Sequence, residues 1–196
     1  MAIIIAIEGA DRCGKQTQSR MLTDALRTRG YSVEQVEVPV AGGATYRLIY
    51  WMLGNGAAKR YPNLFQFVQF VNKLVFQFTR LVWFSMVCDY VVFDRWSLSS
   101  VVYGNATGTN KVFVRFLYEL LVKPDLTVIL HGPRHTNDVE DVYESDTQLQ
   151  RDVRAGYHDW AQRYPLSHDL IDNRGTREEV HARVMYALGF DEGRPR

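Results

Sequence analysis

The chain has 196 residues, 46% of them hydrophobic and 23% charged, with a net charge of +1. This length suits one domain with a sizeable core, and the composition excludes a disordered or fibrous chain. So small a net charge gives no ground for bulk attraction to nucleic acid or to an anionic membrane. The first predicted element is an apolar strand, Ile3–Ile7, which opens into Gly9 and Gly14 bracketing four residues, with Lys15 following. This is the G-x-x-x-x-G-K pattern, in which a buried strand delivers the chain to a tight turn whose backbone N–H groups face phosphate oxygens. A helix predicted over 14–29 completes the unit. Met21, Leu22, Ala25 and Leu26 recur at helical spacing, and Gly30 stops it. The helix dipole and the Lys15 charge then act on an anion held by Gly9, Cys13, Gly14, Lys15, Gln16 and Thr17. One position departs from the pattern: Gln16 stands where a Ser or Thr hydroxyl would hold Mg²⁺. A Gln amide oxygen is a hard ligand on a longer arm, so Gln16 reaches the metal, or water takes its place, or the site is weakened.

Further strands are predicted over 33–38, 90–93, 126–130 and 170–171, and helices near 45–54, 62–87, 97–103, 110–122, 147–164 and 176–188. Strand alternating with helix implies a five-stranded parallel sheet covered by helices on both faces, one α/β domain over 1–190 with a frayed tail at 191–196. The segment 62–87 is the most apolar. Gln66, Gln69, Asn72, Lys73, Gln77 and Arg80 interrupt it, so it falls short of the ~20 apolar residues that a bilayer requires. It reads as a core helix whose outer face meets a second copy, because Phe76, Trp83 and Phe84 exceed what one sheet face can cover. The polar segment 132–146 follows the C-terminal end of a strand, where ligands sit in open α/β folds, and reads as a lid. The two cysteines lie apart, Cys13 in the glycine-rich turn and Cys88 in an apolar segment, which points to a reducing, cytoplasmic setting. The N-terminal run lacks a basic leader and is expected to be a strand rather than a signal peptide.

Asp94-Arg95-Trp96 closes the third predicted strand. A carboxylate there can anchor a metal's hydration shell, and the neighbouring arginine can clamp a second phosphate. With this segment in place the chain resembles the thymidylate kinase family of P-loop nucleoside monophosphate kinases. The resemblance rests on Glu8–Gln18, on Asp94–Tyr103, on Lys123–Leu130, on Val142-Tyr143-Glu144 with Val153 and Tyr157, and on Leu170–Asp172, in that order along the chain.

The resemblance implies transfer of the ATP γ-phosphoryl to a deoxynucleoside monophosphate, dTMP foremost, with Mg²⁺ as cofactor and a homodimer built on helix 62–87. It gives Arg12 the catalytic charge on the transferred group, beside Lys15, and gives Asp11 the acceptor's sugar hydroxyl. Arg95 would grip the acceptor phosphate. Asp94 and Gln16 would attend the metal. Gln69 and Lys73 fall where the family carries the aromatic and the arginine that hold the base, with Phe65 and Phe70 adjacent; Ser99, Ser100, Tyr103 and Tyr143 would complete the acceptor pocket. Where the family usually has an arginine after the second strand this chain has Ala41, and Arg47 is the nearest replacement. These departures leave two alternatives open. One is a kinase for a different or modified deoxynucleotide or a free deoxynucleoside; the other is a catalytically impaired nucleotide-binding dimer.

Overall fold

Five apolar runs become strands: β1 (Ile3–Gly9), β2 (Val33–Glu37), β3 (Tyr90–Asp94), β4 (Leu126–His131) and β5 (Asp169–Asp172). In the computed structural model, which describes residues 1–133, 147–164 and 168–190, they form one parallel sheet in the order β2-β3-β1-β4-β5. The central strands read as continuous aliphatic runs because both of their faces are buried. Ile5 and Ile7 of β1 pack with Leu22, Leu26 and Val184 on one side. Ile4 and Ala6 face Val36, Phe76, Phe93 and Trp96 on the other.

The helices are α1 (Lys15–Thr28), α2 (Gly43–Gly54), α3 (Ala57–Arg60), α4 (Pro62–Phe76), α5 (Val82–Val87), α6 (Ser97–Ala106), α7 (Lys111–Glu119), α8 (Thr147–Arg163) and α9 (Arg177–Ala187). All the predicted strands and helices are present, each within a few residues of its expected bounds. Two details differ. A four-residue helix, α3, stands in the predicted loop between α2 and α4. The helix expected over 62–87 is broken by a π-helical turn, Gln77–Leu81, between α4 and α5. A π turn carries one extra residue and so rotates the faces on either side of it. Gln77, at its start, is buried and accepts the Val122 N–H at 2.7 Å, tying the loop after α7 to this turn.

The break also sorts the aromatic residues of this segment. Phe76 is buried against Phe84, Phe93 and Trp96. Of the three aromatics expected on the outer face, only Trp83 is exposed; Phe84 is partly buried. Among the described residues no helix is long and apolar enough to cross a membrane. The predicted lid falls almost wholly outside the described residues, as do Tyr143 and the tail 191–196.

Candidate active site

The turn after β1 is built by residues in unusual backbone conformations. Arg12 and Gly14 adopt left-handed φ values of 60° and 90°. Successive residues of alternating hand turn their N–H groups to one side, which makes a concavity for an anion. Gly9 is obligatory here: a Cβ at this position would sit 2.5 Å from the Leu130 carbonyl oxygen, and φ is 143°. Behind the turn, the fully buried Asn173 donates to the Cys13 carbonyl at 3.1 Å and so braces the loop from the end of β5. Gly9 and the Cys13 side chain therefore shape the loop from behind, while Asp11, Arg12, Gly14, Lys15, Gln16 and Thr17 line a cleft of about 610 Å³. The Lys15 ammonium rests on the Ala10 carbonyl at 2.5 Å, inside the loop.

At the neighbouring strand end Arg95 has a left-handed φ of 65°. A non-glycine residue held there costs about 1–3 kcal/mol, which the surroundings must offset. Four contacts do so. Its backbone N–H meets the Ile7 carbonyl at 3.0 Å, its guanidinium pairs with Asp11 Oδ1 and donates to the Gly9 carbonyl at 3.3 Å, and Tyr103 lies under it at 5.1 Å. The next residue, Trp96, is fully buried and stacked on Phe93 at 4.3 Å. Its N–H donates at 2.8 Å to Glu8, which also accepts from the Ser99 hydroxyl and from the Tyr157 hydroxyl at 3.1 Å. Glu8, at the end of β1, thus fixes the start of α6 and the direction of Arg95.

Asp11 is held on two sides. Arg95 takes one oxygen, and the Gln150 amide of α8 donates to the other at 2.7 Å. Burial works to raise the Asp11 pKa, but Arg95 and Lys15 outweigh it and hold the carboxyl below its ordinary value. Asp94 behaves oppositely: burial raises its pKa, and Lys15 and Arg95 only partly offset that. Its Oδ1 is buried and has no hydrogen-bond partner among the described residues. Gln16 donates its amide nitrogen to Glu37 at the end of β2, at 3.3 Å.

The other end of the cleft lies between α2, α4 and α6. Ile49, Tyr50 and Leu53 face Phe65, Gln66, Gln69 and Lys73, with Ser99, Tyr103 and Thr107 on the third side. Phe65, Gln69 and Lys73 share one face because they are four residues apart on α4. Lys73 is almost completely buried and donates to Ser100 Oγ at 2.5 Å. Burial lowers its pKa to about 8, against a partial pull from Glu8.

Four expected site residues are placed elsewhere or otherwise engaged. Phe70 is one position round the helix from Gln69 and packs into the core with Val36, Phe93 and Trp96, so Phe65 is the aromatic that meets the cleft. Arg47 is exposed and, unlike Tyr50 and Leu53 of the same helix, does not line the cleft. Ser99 lines it but commits its hydroxyl to Glu8. Ser100, expected with Ser99 and Tyr103 on the pocket wall, instead accepts from Lys73. Sequence reading gave no site role to Glu8, Glu37, Gln66, Gln150 or Tyr157. Of these, only Glu37, a charged residue ending a strand beside the glycine-rich turn, carried a readable signal. Gln66 is 3% exposed, and its Oε1 has no partner among the described residues.

Residues 7–184 match the family model described as thymidylate kinase. The chain is 28% identical over 199 residues to the thymidylate kinase of Rhizorhabdus wittichii, covering 94% of this chain and 95% of that one. It is 26% identical over 197 residues to the "Probable thymidylate kinase" of Thermococcus onnurineus, covering 93% and 95%. Among solved structures, thymidylate kinase from Ehrlichia chaffeensis superposes with a TM-score of 0.76 at 22% identity, covering 95% of this chain and 98% of the other. That last likeness concerns the fold.

Proposed function

This chain belongs to the thymidylate kinase family, and we propose that its cleft moves the γ-phosphoryl of ATP to the 5′-phosphate of dTMP, giving dTDP. The observation that carries this reading is one continuous cleft. It joins an anion-binding turn, with Lys15 and Arg12, to a pocket walled by Phe65, Gln66, Gln69 and Lys73, with Arg95 between the two. Phosphoryl transfer needs little covalent help from the protein. It needs the two phosphates brought in line and the spreading charge met by fixed cations. Lys15 and the loop N–H groups serve the donor. Arg12 serves the transferred group, and Arg95, preset by Asp11 and Tyr103, serves the acceptor phosphate.

At the base end, Phe65 offers a ring face. Lys73 offers a donor that suits the O4 carbonyl of thymine and opposes the amino group of cytosine. Gln66 and Gln69 add amides that serve either base, since an amide presents donor and acceptor together. Mg²⁺ fits the other end. Asp94 brings a buried carboxylate oxygen without a partner, and hard oxygen donors are what this ion takes. The ion would supply charge neutralisation on the phosphate oxygens. ATP consumption measured with a panel of deoxynucleoside and ribonucleoside monophosphates tests the reading. Preference for dTMP is expected, and turnover with none of them would defeat it.

A homodimer through the α4–α5 face is part of the same proposal. Leu64, Phe67, Val75, Phe78, Val82, Trp83 and Met86 are all exposed along this face. An apolar row of that length marks an association surface.

A further inference from the structure

We infer that Glu37 is a metal-organising carboxylate of this active site, and that Gln16 is the residue that positions it. This rests on the kinase reading above. Two features point to it. Glu37 and Asp94 are paired in register at the ends of β2 and β3, so two carboxylates stand side by side on the cleft wall next to Lys15. Asp94 is only 5% exposed, lines the cleft, and keeps Oδ1 without a hydrogen-bond partner among the described residues.

Two carboxylates beside a polyphosphate repel it unless a divalent cation lies between. Mg²⁺ is commonly held by one or two carboxylates together with substrate phosphates. Gln16 explains how the site manages without the usual hydroxyl. Its amide nitrogen donates to Glu37 Oε2, so the residue that replaced a short ligand steers a charged one from the neighbouring strand. The hard oxygen comes from β2 instead of α1. A supporting partner of this kind commonly contributes a factor of about 10–100 in metal affinity.

The test is Mn²⁺ binding to the ADP-saturated protein, read by enhancement of water proton relaxation, alongside ADP binding in EDTA. Glu37→Gln is expected to weaken Mn²⁺ binding at least about tenfold while ADP affinity in EDTA stays within a factor of two. Gln16→Ala should weaken it less. Adding Gln16→Ser to Glu37→Gln should recover part of the loss, because the hydroxyl restores a ligand on α1. Unchanged Mn²⁺ affinity in Glu37→Gln would overturn the inference, and so would a parallel loss of ADP affinity in EDTA. A wild-type protein that holds Mn²⁺ through Glu37 yet phosphorylates no monophosphate would defeat the kinase reading and leave this inference standing.

Discussion

Gln150 and Asp11, 139 residues apart, meet edge to edge. The amide nitrogen donates to Asp11 Oδ2 at 2.7 Å, and the amide oxygen accepts the Asp11 backbone N–H at 3.4 Å. This contact ties α8 to the phosphate turn, and through Asp11 it sets Arg95. Gln150→Leu removes a hydrogen bond to a charged group, a loss of about 1.5–3 kcal/mol, or roughly ten- to a hundredfold in kcat/KM. Placed in an Asp11→Asn background, the same change should add little, since the two side chains act as one unit. Additive losses in steady-state assays would show that Gln150 does not work through Asp11.

Lys15→Ala and Arg12→Ala should each lower kcat by about 10³ while leaving the unfolding midpoint near that of wild type. Both residues line the cleft and add little to the apolar core. Near-normal turnover in Arg12→Ala would remove its role and require the charge on the transferred group to come from another residue.

Lys73 should impose a pH dependence on acceptor use. With its pKa near 8, the ammonium is present below that pH and lost above it. A carbonyl on the base favours the protonated form, so kcat/KM for dTMP should fall as pH rises through about 8. Lys73→Arg, charged throughout, should flatten the profile. The sign for stability is the reverse. Between this pKa and the ordinary lysine value of 10.5 the unfolded chain binds more protons, so the wild type should gain stability as pH rises across that window. Thermal melts at pH 7.5 and 9.5 check it.

Light scattering should give the mass of a dimer for the wild type at micromolar concentration. Phe78→Glu with Trp83→Glu should give a monomer, because both side chains are exposed and a charge on each would be desolvated in an interface. A monomeric wild type would refute the proposed assembly.

Gly9→Ala should lower stability by about 1–3 kcal/mol from backbone strain alone, with the clash against the Leu130 carbonyl added to that. Urea denaturation gives the number, and a change below 0.5 kcal/mol, the usual scatter of an exposed substitution, would contradict the close packing of β1 against β4.

The alternation of strands and helices was legible in the chain because it is written in local periods. Aliphatic runs such as Val91-Val92-Phe93 have no other economical burial, and the glycine spacing before Lys15 has one common structural use. Lys73 and Tyr103 were legible for a similar reason, lying at fixed distances from the motifs. What only the tertiary structure decided is direction and partnership. Arg47 and Tyr50 are three residues apart on α2 and both are exposed, yet only Tyr50 lines the cleft, a difference set by how α2 rolls on α4. Phe65 was preferred to Phe70 by the same kind of rotation. Glu8 gathers Trp96, Ser99 and Tyr157 from 88 to 149 residues away, and the Gln16–Glu37 contact joins a helix to a strand that it precedes. Such contacts have no periodic signature. Each depends on side-chain geometry fixed only once the sheet order brings distant strand ends to one edge.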